Sequence, residues 1–122
     1  LSNKNNLKEI IRVIHLEVRK KMNIFLNKNK NKKLIILDIP LLLENKIHNK
    51  NDILIFVEAN QSDTIKRLRK RKNFNRKLIN MFKKIQLSLV YKKRVSHFVI
   101  KNNFTKKSVK RDIKVILSKI LK

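Results

Sequence analysis

The sequence predicts an α/β fold built on a parallel sheet, and three observations carry that prediction. Two runs of consecutive apolar residues, 34–37 and 53–57, have the length and composition of strands buried on both faces. Segments with apolar residues three and four apart precede and follow these runs, as in amphipathic helices. Because helices that connect strands form right-handed crossovers, we expect the strands to be parallel.

The first predicted element is a helix that begins near Leu7. Its apolar face comprises Leu7, Ile10, Ile11, Ile14, Val18, Met22 and Phe25. A polar run of Asn and Lys connects this helix to the first predicted strand, residues 34–37. That strand ends at Asp38, and Pro40 prevents it from continuing as a central strand. Ligands bind outside the carboxyl ends of parallel strands, so Asp38 is a candidate functional carboxylate, although a plain strand and turn would give the same pattern.

The second half of the sequence predicts two more strands and three helical stretches. In order, these are a strand at Ile53–Val57, a helix capped by Ser62 or Asp63, a helical stretch with Leu78, Ile79, Phe82 and Ile85 on one face, a strand at Phe98–Ile100, and a terminal helix that starts at Thr105 or Ser108. No repeat is present, and no linker separates two independent domains.

Composition limits the classes of function. With no cysteine, the chain can form neither a disulfide nor a thiolate zinc site. No apolar run approaches the roughly 20 residues that cross a bilayer, and no signal peptide is visible, so we expect a cytoplasmic protein without a membrane partner. The first residue is Leu1 rather than Met, which leads us to expect a piece of a longer protein.

The formal net charge of +25 predicts attraction to polyanions. Two interpretations remain open. Lys, Asn and Ile have A+T-rich codons and the lysines are scattered, so base-composition bias explains the charge without a specific nucleic-acid partner. The alternative is a small basic RNA-binding or ribosome-associated protein, in which aromatic residues stack on bases. Those aromatic residues are Phe74, Phe82, Tyr91, Phe98 and Phe104.

Glycine is absent from the sequence. A phosphate-binding P-loop needs glycine for its tight turn and for close approach of the backbone to phosphate. These 122 residues therefore contain neither a Walker A loop nor a dinucleotide-binding fingerprint.

Residues 37–44, Leu-Asp-Ile-Pro-Leu-Leu-Leu-Glu, resemble the Asp-Ile-Pro-Leu-Leu-(Phe/Tyr)-Glu segment of dephospho-coenzyme A kinases, which are P-loop kinases. The likeness runs from about Ile10 to the C-terminus and corresponds to about the last three-fifths of that family. It implies an incomplete P-loop kinase fold with three strands, flanking helices and a helical lid. The single partial kinase domain, 1–122, would comprise a substrate-side helix (7–30), core strands (33–60), a lid region (62–95), and a last strand with the C-terminal helix (97–122).

Two further segments carry the resemblance in the first helix and the lid. Residues 14–19 are similar to the family's Ile-X-His-Pro-X-Val-Arg segment, which implies that His15 and Arg19 bind the coenzyme A substrate. On its own, a histidine on a helix face is more often structural. Residues 61–86 follow the family's Arg-Leu-X-X-Arg pattern and its closing Gln, with matches at Arg67, Leu68, Arg71 and Gln86.

The lid segment implies arginines that fold over the ATP phosphates, with Arg71 as the first candidate and Arg67 as the second. A planar guanidinium suits this role because it can pair with two phosphate oxygens at once. An ordinary solvated helix face is the alternative for both. Gln86 would also bind ATP. Phe82 stands where relatives often carry another arginine, and Asn75 replaces a helix-starting serine.

Residues 99–102 resemble the family's Val-Ile-Asp-Asn segment, and this implies that Asn102 lies near the adenine of ATP. Lys92 also matches the family, whereas His97 replaces an acidic residue at the entrance of the strand.

The resemblance implies transfer of the ATP γ-phosphoryl group to the ribose 3′-hydroxyl of dephospho-coenzyme A, the last step of coenzyme A synthesis. ATP and Mg²⁺ would be the cofactors, with Asp38 holding Mg²⁺ through water, and the intact protein would be a monomer. The family's P-loop and catalytic aspartate would lie upstream of Leu1. We therefore expect these residues alone to bind ATP poorly and to be inactive.

Overall fold

The computed structural model describes residues 4–122, with side chains from Glu9 onward. These residues form five helices and two strands: α1 (Lys4–Lys28), β1 (Ile55–Ala59), α2 (Gln61–Arg69), α3 (Arg76–Ile85), α4 (Leu89–Val95), β2 (Phe98–Asn102) and α5 (Lys106–Ile120). The predicted α/β class is confirmed. Contacts divide the chain into one compact part up to Ile47 and another from His48 to Lys122, and each part is described by itself.

Helix α1 forms where the apolar spacing predicts it and extends past Phe25 to Lys28. Asn29 ends the helix, since its side-chain amide donates to the Phe25 carbonyl at 2.8 Å. Several residues of the predicted apolar face, including Ile10, Ile14 and Phe25, remain about half exposed. The helix therefore keeps an apolar face that the described residues do not cover.

The predicted strand at 34–37 is not formed in this structure. Residues 34–39 are irregular, with no hydrogen-bonded ladder in the described part of the chain. Their exposure still alternates, with Ile35, Leu37 and Ile39 half-buried and the residues between them exposed, which is the period of an extended chain. The apolar run gives extended backbone, but a strand also needs a neighbour with which to pair.

A turn follows the extended segment and carries the most buried side chain described, Ile47, which is 3% exposed. Two residues of this turn, Leu41 (φ 56°) and Lys46 (φ 50°), have left-handed backbone. The Asn45 side chain fixes the turn by donating to the Leu41 carbonyl at 2.9 Å.

The second part of the chain contains the sheet. Strands β1 and β2 are parallel, with Ile55 opposite Phe98 and Ala59 opposite Asn102. This confirms the expected parallel order. Strand β1 is shifted by two residues toward the C-terminus relative to the predicted Ile53–Val57, and β2 extends two residues beyond its predicted end at Ile100.

The core lies between β2 and α5. Ile100 on the strand and Ile116 on the helix are 9% and 6% exposed, and they are the only buried apolar residues described in this part. Near β1, by contrast, Val57, Leu89 and Val90 remain exposed. A small core between β2 and α5 therefore coexists with open apolar surface at β1 and α4.

The caps of α2 to α5 agree in part with the sequence. The cap of α2 is Asn60 rather than Ser62 or Asp63, because the Asn60 side chain accepts a hydrogen bond from the Ser62 amide. Asn75 caps α3 as expected, accepting from the Leu78 amide at 3.0 Å. Thr105 stands at the N-cap position of α5. Helix α4 was not predicted as a separate element; Ser88 caps it.

Candidate functional site

The carboxyl ends of the two strands form the candidate site. Since β1 and β2 are parallel, Ala59 and Asn102 lie side by side, and each strand leads within a few residues into the N-terminus of a helix, α2 or α5. Helix N-termini carry partial positive charge, and ligands of open α/β sheets bind at this edge. The arrangement suits an anionic ligand.

The loop after β2 is held in an unusual conformation. Phe104 has φ 61°, in the left-handed region that costs a side-chain-bearing residue about 1–2 kcal/mol. Two asparagines fix this loop: Asn102 Oδ1 accepts from the Phe104 amide at 2.9 Å, and Asn103 Oδ1 accepts from the Thr105 amide at 3.1 Å. The oxygen of the Asn102 side chain is therefore used within the loop.

Arg67 of α2 lies over this loop. Its guanidinium carbon is 4.0 Å from the centroid of the Phe104 ring, which is a close cation–π contact. The structure thus brings together two sequence-predicted site residues, Arg67 and Asn102, through Phe104, whose ring contacts Arg67 and whose amide donates to Asn102. Among the described residues the Arg67 guanidinium forms no hydrogen bond or ion pair.

Arg71 and Gln86 lie elsewhere in the lid region. Arg71 follows α2 in a turn closed by hydrogen bonds from its amide to Leu68 and from the Phe74 amide to its carbonyl. Its side chain is exposed and has no ionic partner in the described part of the chain. Gln86 is the exposed C-cap of α3, and its amide donates to the Phe82 carbonyl. Among the described residues, neither side chain forms a hydrogen bond, an ion pair or a ring contact with Arg67.

His15 and Arg19 are one turn apart on α1 and therefore share a face. Arg19 Nη2 donates to the carbonyls of Asn45 and Lys46 at 3.0 and 3.2 Å, so this arginine anchors the turn that contains Ile47. The Nδ1 atom of His15 is buried and has no partner within the described residues. An orphaned ring nitrogen is a group that a ligand could satisfy.

Asp38 is exposed on the same side of the extended segment as Ile36. No group of three or more His, Asp or Glu side chains suited to a metal is found in the described residues. Mg²⁺ in kinases is usually held by one or two carboxylates together with substrate phosphates and water. Asp38 fits that mode and does not fit a metal site built from protein ligands alone.

Two polar contacts support the sheet beneath the site. Lys93 Nζ of α4 donates to Glu58 Oε1 of β1 at 2.6 Å, and this hydrogen bond lowers the pKa of the Glu58 carboxyl. At the entrance of β2, His97 Nδ1 accepts from the Leu54 amide at 3.0 Å. The histidine that replaces an acidic residue thus still supplies an acceptor.

Phe104 is the one contact residue at this site that the sequence did not assign to it. Among the sequence observations it appeared only as one of several aromatic residues that could stack on bases. Its signal was an aromatic residue between two asparagines and a helix-starting threonine, a place where turn residues are normal.

A parallel strand–helix–strand unit with cationic side chains at its carboxyl edge defines a class, the α/β nucleotide-binding proteins, and is consistent with part of a P-loop kinase fold. Comparison with known families makes the class specific. The family model described as CoaE, dephospho-CoA kinase, matches residues 1–108. The chain belongs to the dephospho-CoA kinase family, as the resemblance in its motifs indicated.

Curated relatives agree with this assignment. The chain is 32% identical over 117 residues to a dephospho-CoA kinase of Wolbachia pipientis wMel and, equally, to one of Wolbachia sp. subsp. Brugia malayi (strain TRS). Each match covers 94% of this chain and 60% of the relative. The chain therefore spans about three-fifths of the length of these relatives. No solved structure matches significantly.

Proposed function

We propose that this chain is part of a dephospho-CoA kinase, which transfers the γ-phosphoryl group of ATP to the ribose 3′-hydroxyl of dephospho-coenzyme A and completes coenzyme A. The observation that carries the proposal is the family match over residues 1–108, with relatives of that name aligned to 94% of the chain. The cationic edge of the sheet, where Arg67 meets the loop of Asn102, supports it. ATP and dephospho-coenzyme A are the proposed substrates.

Phosphoryl transfer depends mostly on positioning and on neutralising the charge of the transferring group. Arg71 is proposed to close over the phosphates, and its exposed guanidinium on a turn between two helices is compatible with such movement. Arg67, Gln86 and Asn102 are proposed to bind ATP. Asp38 would hold Mg²⁺ through water, and the metal would supply charge neutralisation at the phosphates.

His15 and Arg19 are proposed to contact the coenzyme A substrate. The buried, unpartnered Nδ1 of His15 supports this role, while Arg19 already donates to the carbonyls of Asn45 and Lys46. One guanidinium carries several donors, so an anchor to the turn leaves others for a ligand.

The finer architecture is also a proposal. In the complete kinase, residues 34–37 would pair as the third strand, and residues 62–95 would act as a mobile lid, all within a single domain. The alternating exposure of residues 34–40 supports the strand, because an extended chain with one covered face is ready to join a sheet edge. We propose a cytoplasmic monomer for the intact kinase. As a separate observation, none of the helices in residues 4–122 combines the length and the apolar character of a membrane span.

The P-loop is proposed to lie upstream, because a P-loop needs glycine and the sequence here has none. The catalytic aspartate is proposed to lie upstream as well, as the family resemblance implies. Reading the DNA 5′ of the Leu1 codon tests this directly, and an in-frame segment ending in Gly-Lys-Ser/Thr is the expected result. A coupled kinase assay on the 122 residues alone should give no turnover. Ordinary activity in that assay would contradict the proposal.

A chimera tests the function and the role of Arg71 together. The segment of the Wolbachia pipientis wMel kinase that precedes the aligned region is joined to this chain, and phosphorylation of dephospho-coenzyme A is measured. We expect the chimera to be active and Arg71→Ala to lower kcat by about 10²- to 10³-fold. Arg69→Ala on the neighbouring exposed arginine is the matched control and should leave kcat unchanged. Equal effects of the two substitutions would refute the role of Arg71 and leave the family function standing.

One observation favours the second candidate, RNA binding. Lys107, Lys110, Arg111 and Lys114 lie on one face of α5 and line a surface groove of about 640 Å³. A row of cations on a helix can follow a phosphodiester backbone. Nanomolar RNA affinity that falls steeply with salt would favour this candidate, and weak affinity at physiological salt would exclude it.

A further inference from the structure

The Arg67–Phe104 contact leaves one part of the guanidinium covered and another part free. The guanidinium carbon of Arg67 lies over the ring of Phe104, 4.0 Å from the ring centroid, a distance that favours stacking of the planar group on the ring. The N–H donors of arginine lie in the plane of that group and point away from such a stack. They form no hydrogen bond within the described residues, and the side chain is exposed. The ring thus orients the planar guanidinium group of Arg67, while the N–H donors at the edge of that group remain open to a ligand.

The ring is held in place by its backbone and not only by the arginine. Phe104 has a φ of 61°, which an aromatic residue rarely adopts, and the Asn102 side chain fixes this conformation by accepting from the Phe104 amide. Outliers of this kind persist where the surroundings determine them and often mark functional sites. The loop therefore presents an aromatic ring at a position where glycine would be the easier residue.

We infer that Phe104 is a positioning residue, whose ring holds the Arg67 guanidinium at the carboxyl edge of the sheet so that its in-plane donors bind a phosphate group of the nucleotide. This inference rests on the proposed function for the identity of the ligand. A long arginine side chain loses rotamer freedom when it binds an anion, and a stack that has already restricted it removes part of that loss. Face stacking and edge-on hydrogen bonding are compatible in one guanidinium, so ring and phosphate do not compete.

In the first test, inorganic tripolyphosphate is added to the full chain, and binding is monitored by NMR of the arginine side chains. Ring currents from Phe104 should shift the Arg67 side-chain protons upfield in the free protein. Tripolyphosphate should move the Arg67 Nε–Hε signal while the upfield shift persists. Loss of the upfield shift on binding would show that phosphate displaces the ring, and this would overturn the inference.

Substitutions test the effect on affinity. Phe104→Leu keeps an apolar side chain without a π face, and it should weaken tripolyphosphate binding by about two- to fivefold, as expected for an exposed cation–π contact. Phe104→Tyr should bind like the parent. Phe74→Leu is the matched control, because Phe74 is an aromatic residue of the same part of the chain with no cation–π contact in the described structure. It should also bind like the parent.

Phe104→Gly is a second variant in case Phe104→Leu does not fold, because glycine fits the left-handed backbone although it removes the whole side chain. It should show the same two- to fivefold loss. Unchanged or tighter binding in both variants, or no tripolyphosphate response at Arg67, would overturn the inference. The proposed function is tested separately. An inactive chimera would count against the function and leave the binding result unaffected. An active chimera whose KM for ATP is unchanged by substitution of Phe104 would refute only the positioning role.

Discussion

Ile116 offers the sharpest test of where this structure holds together. It is 6% exposed on α5 and faces β2, where Ile100 is the other buried apolar residue of the same part of the chain. Ile116→Ala removes three carbons, which at about 0.8 kcal/mol each amounts to about 2.4 kcal/mol before any cavity cost. In a core with so few buried residues, the surrounding side chains can move into the space that Ile116→Ala leaves. We therefore expect a loss of stability near the lower end of the usual range of about 2–5 kcal/mol.

Native-state hydrogen exchange of the β2 amides is the suitable assay, because it reports local opening and does not require a two-state transition. Ile116→Ala should lower the free energy of opening of β2 by about 2.4 kcal/mol, or abolish protection if the parent is less stable than that. Ile116→Val should cost about 0.5–1.5 kcal/mol. Val115→Ala, at a half-exposed neighbour on the same helix, is the matched control.

The comparison of positions 116 and 115 decides the outcome. If Ile116→Ala and Val115→Ala reduce protection of β2 equally, α5 does not pack on the strand through Ile116, and the core is placed wrongly. An effect of Ile116→Ala that is confined to α5 amides would lead to the same conclusion, since the contact joins helix and strand.

Two further predictions concern the contacts around the sheet and lid. The hydrogen bond from Lys93 lowers the pKa of Glu58, so the stability that this bond contributes is present above the ordinary glutamate pKa of about 4.3 and is lost as pH falls through the lower pKa of the folded protein. In an NMR titration of the Glu58 carboxyl, Lys93→Gln should raise the midpoint. An unchanged midpoint would refute the pairing. Asn75→Ala removes the N-cap of α3 and should cost about 1 kcal/mol, measured as faster amide exchange in the first turn of α3. Asn75→Ser keeps a capping oxygen and should exchange like the parent, so equal exchange in the two variants would contradict the cap.

The sequence predicted the second part of the chain better than the first, for a physical reason. The apolar runs that became β1 and β2 each have a partner in the structure, so their parallel pairing followed from the helices between them. The run at 34–37 has the same composition, but strand formation depends on a neighbour and not on the run alone. Asn75 was recognisable as a cap because its hydrogen bond is local.

The site was predictable only as separate residues. Arg67 and Asn102 were identified from motifs, yet their meeting through Phe104 depends on parallel strands bringing two distant loops to one edge. Likewise, nothing in the sequence indicates that Arg19 on α1 donates to the carbonyls of Asn45 and Lys46. Spacing reveals contacts within one element and is silent on contacts between elements.

The left-handed residues Leu41, Lys46 and Phe104 have an evolutionary consequence in a sequence without glycine. Each stands where a side chain costs about 1–2 kcal/mol relative to the residue that tolerates this backbone best. A lineage whose codons drift away from G and C would accumulate such turns and leave its proteins closer to the threshold of unfolding. Leu41→Gly and Lys46→Gly are accordingly where a stabilised version of this chain should begin.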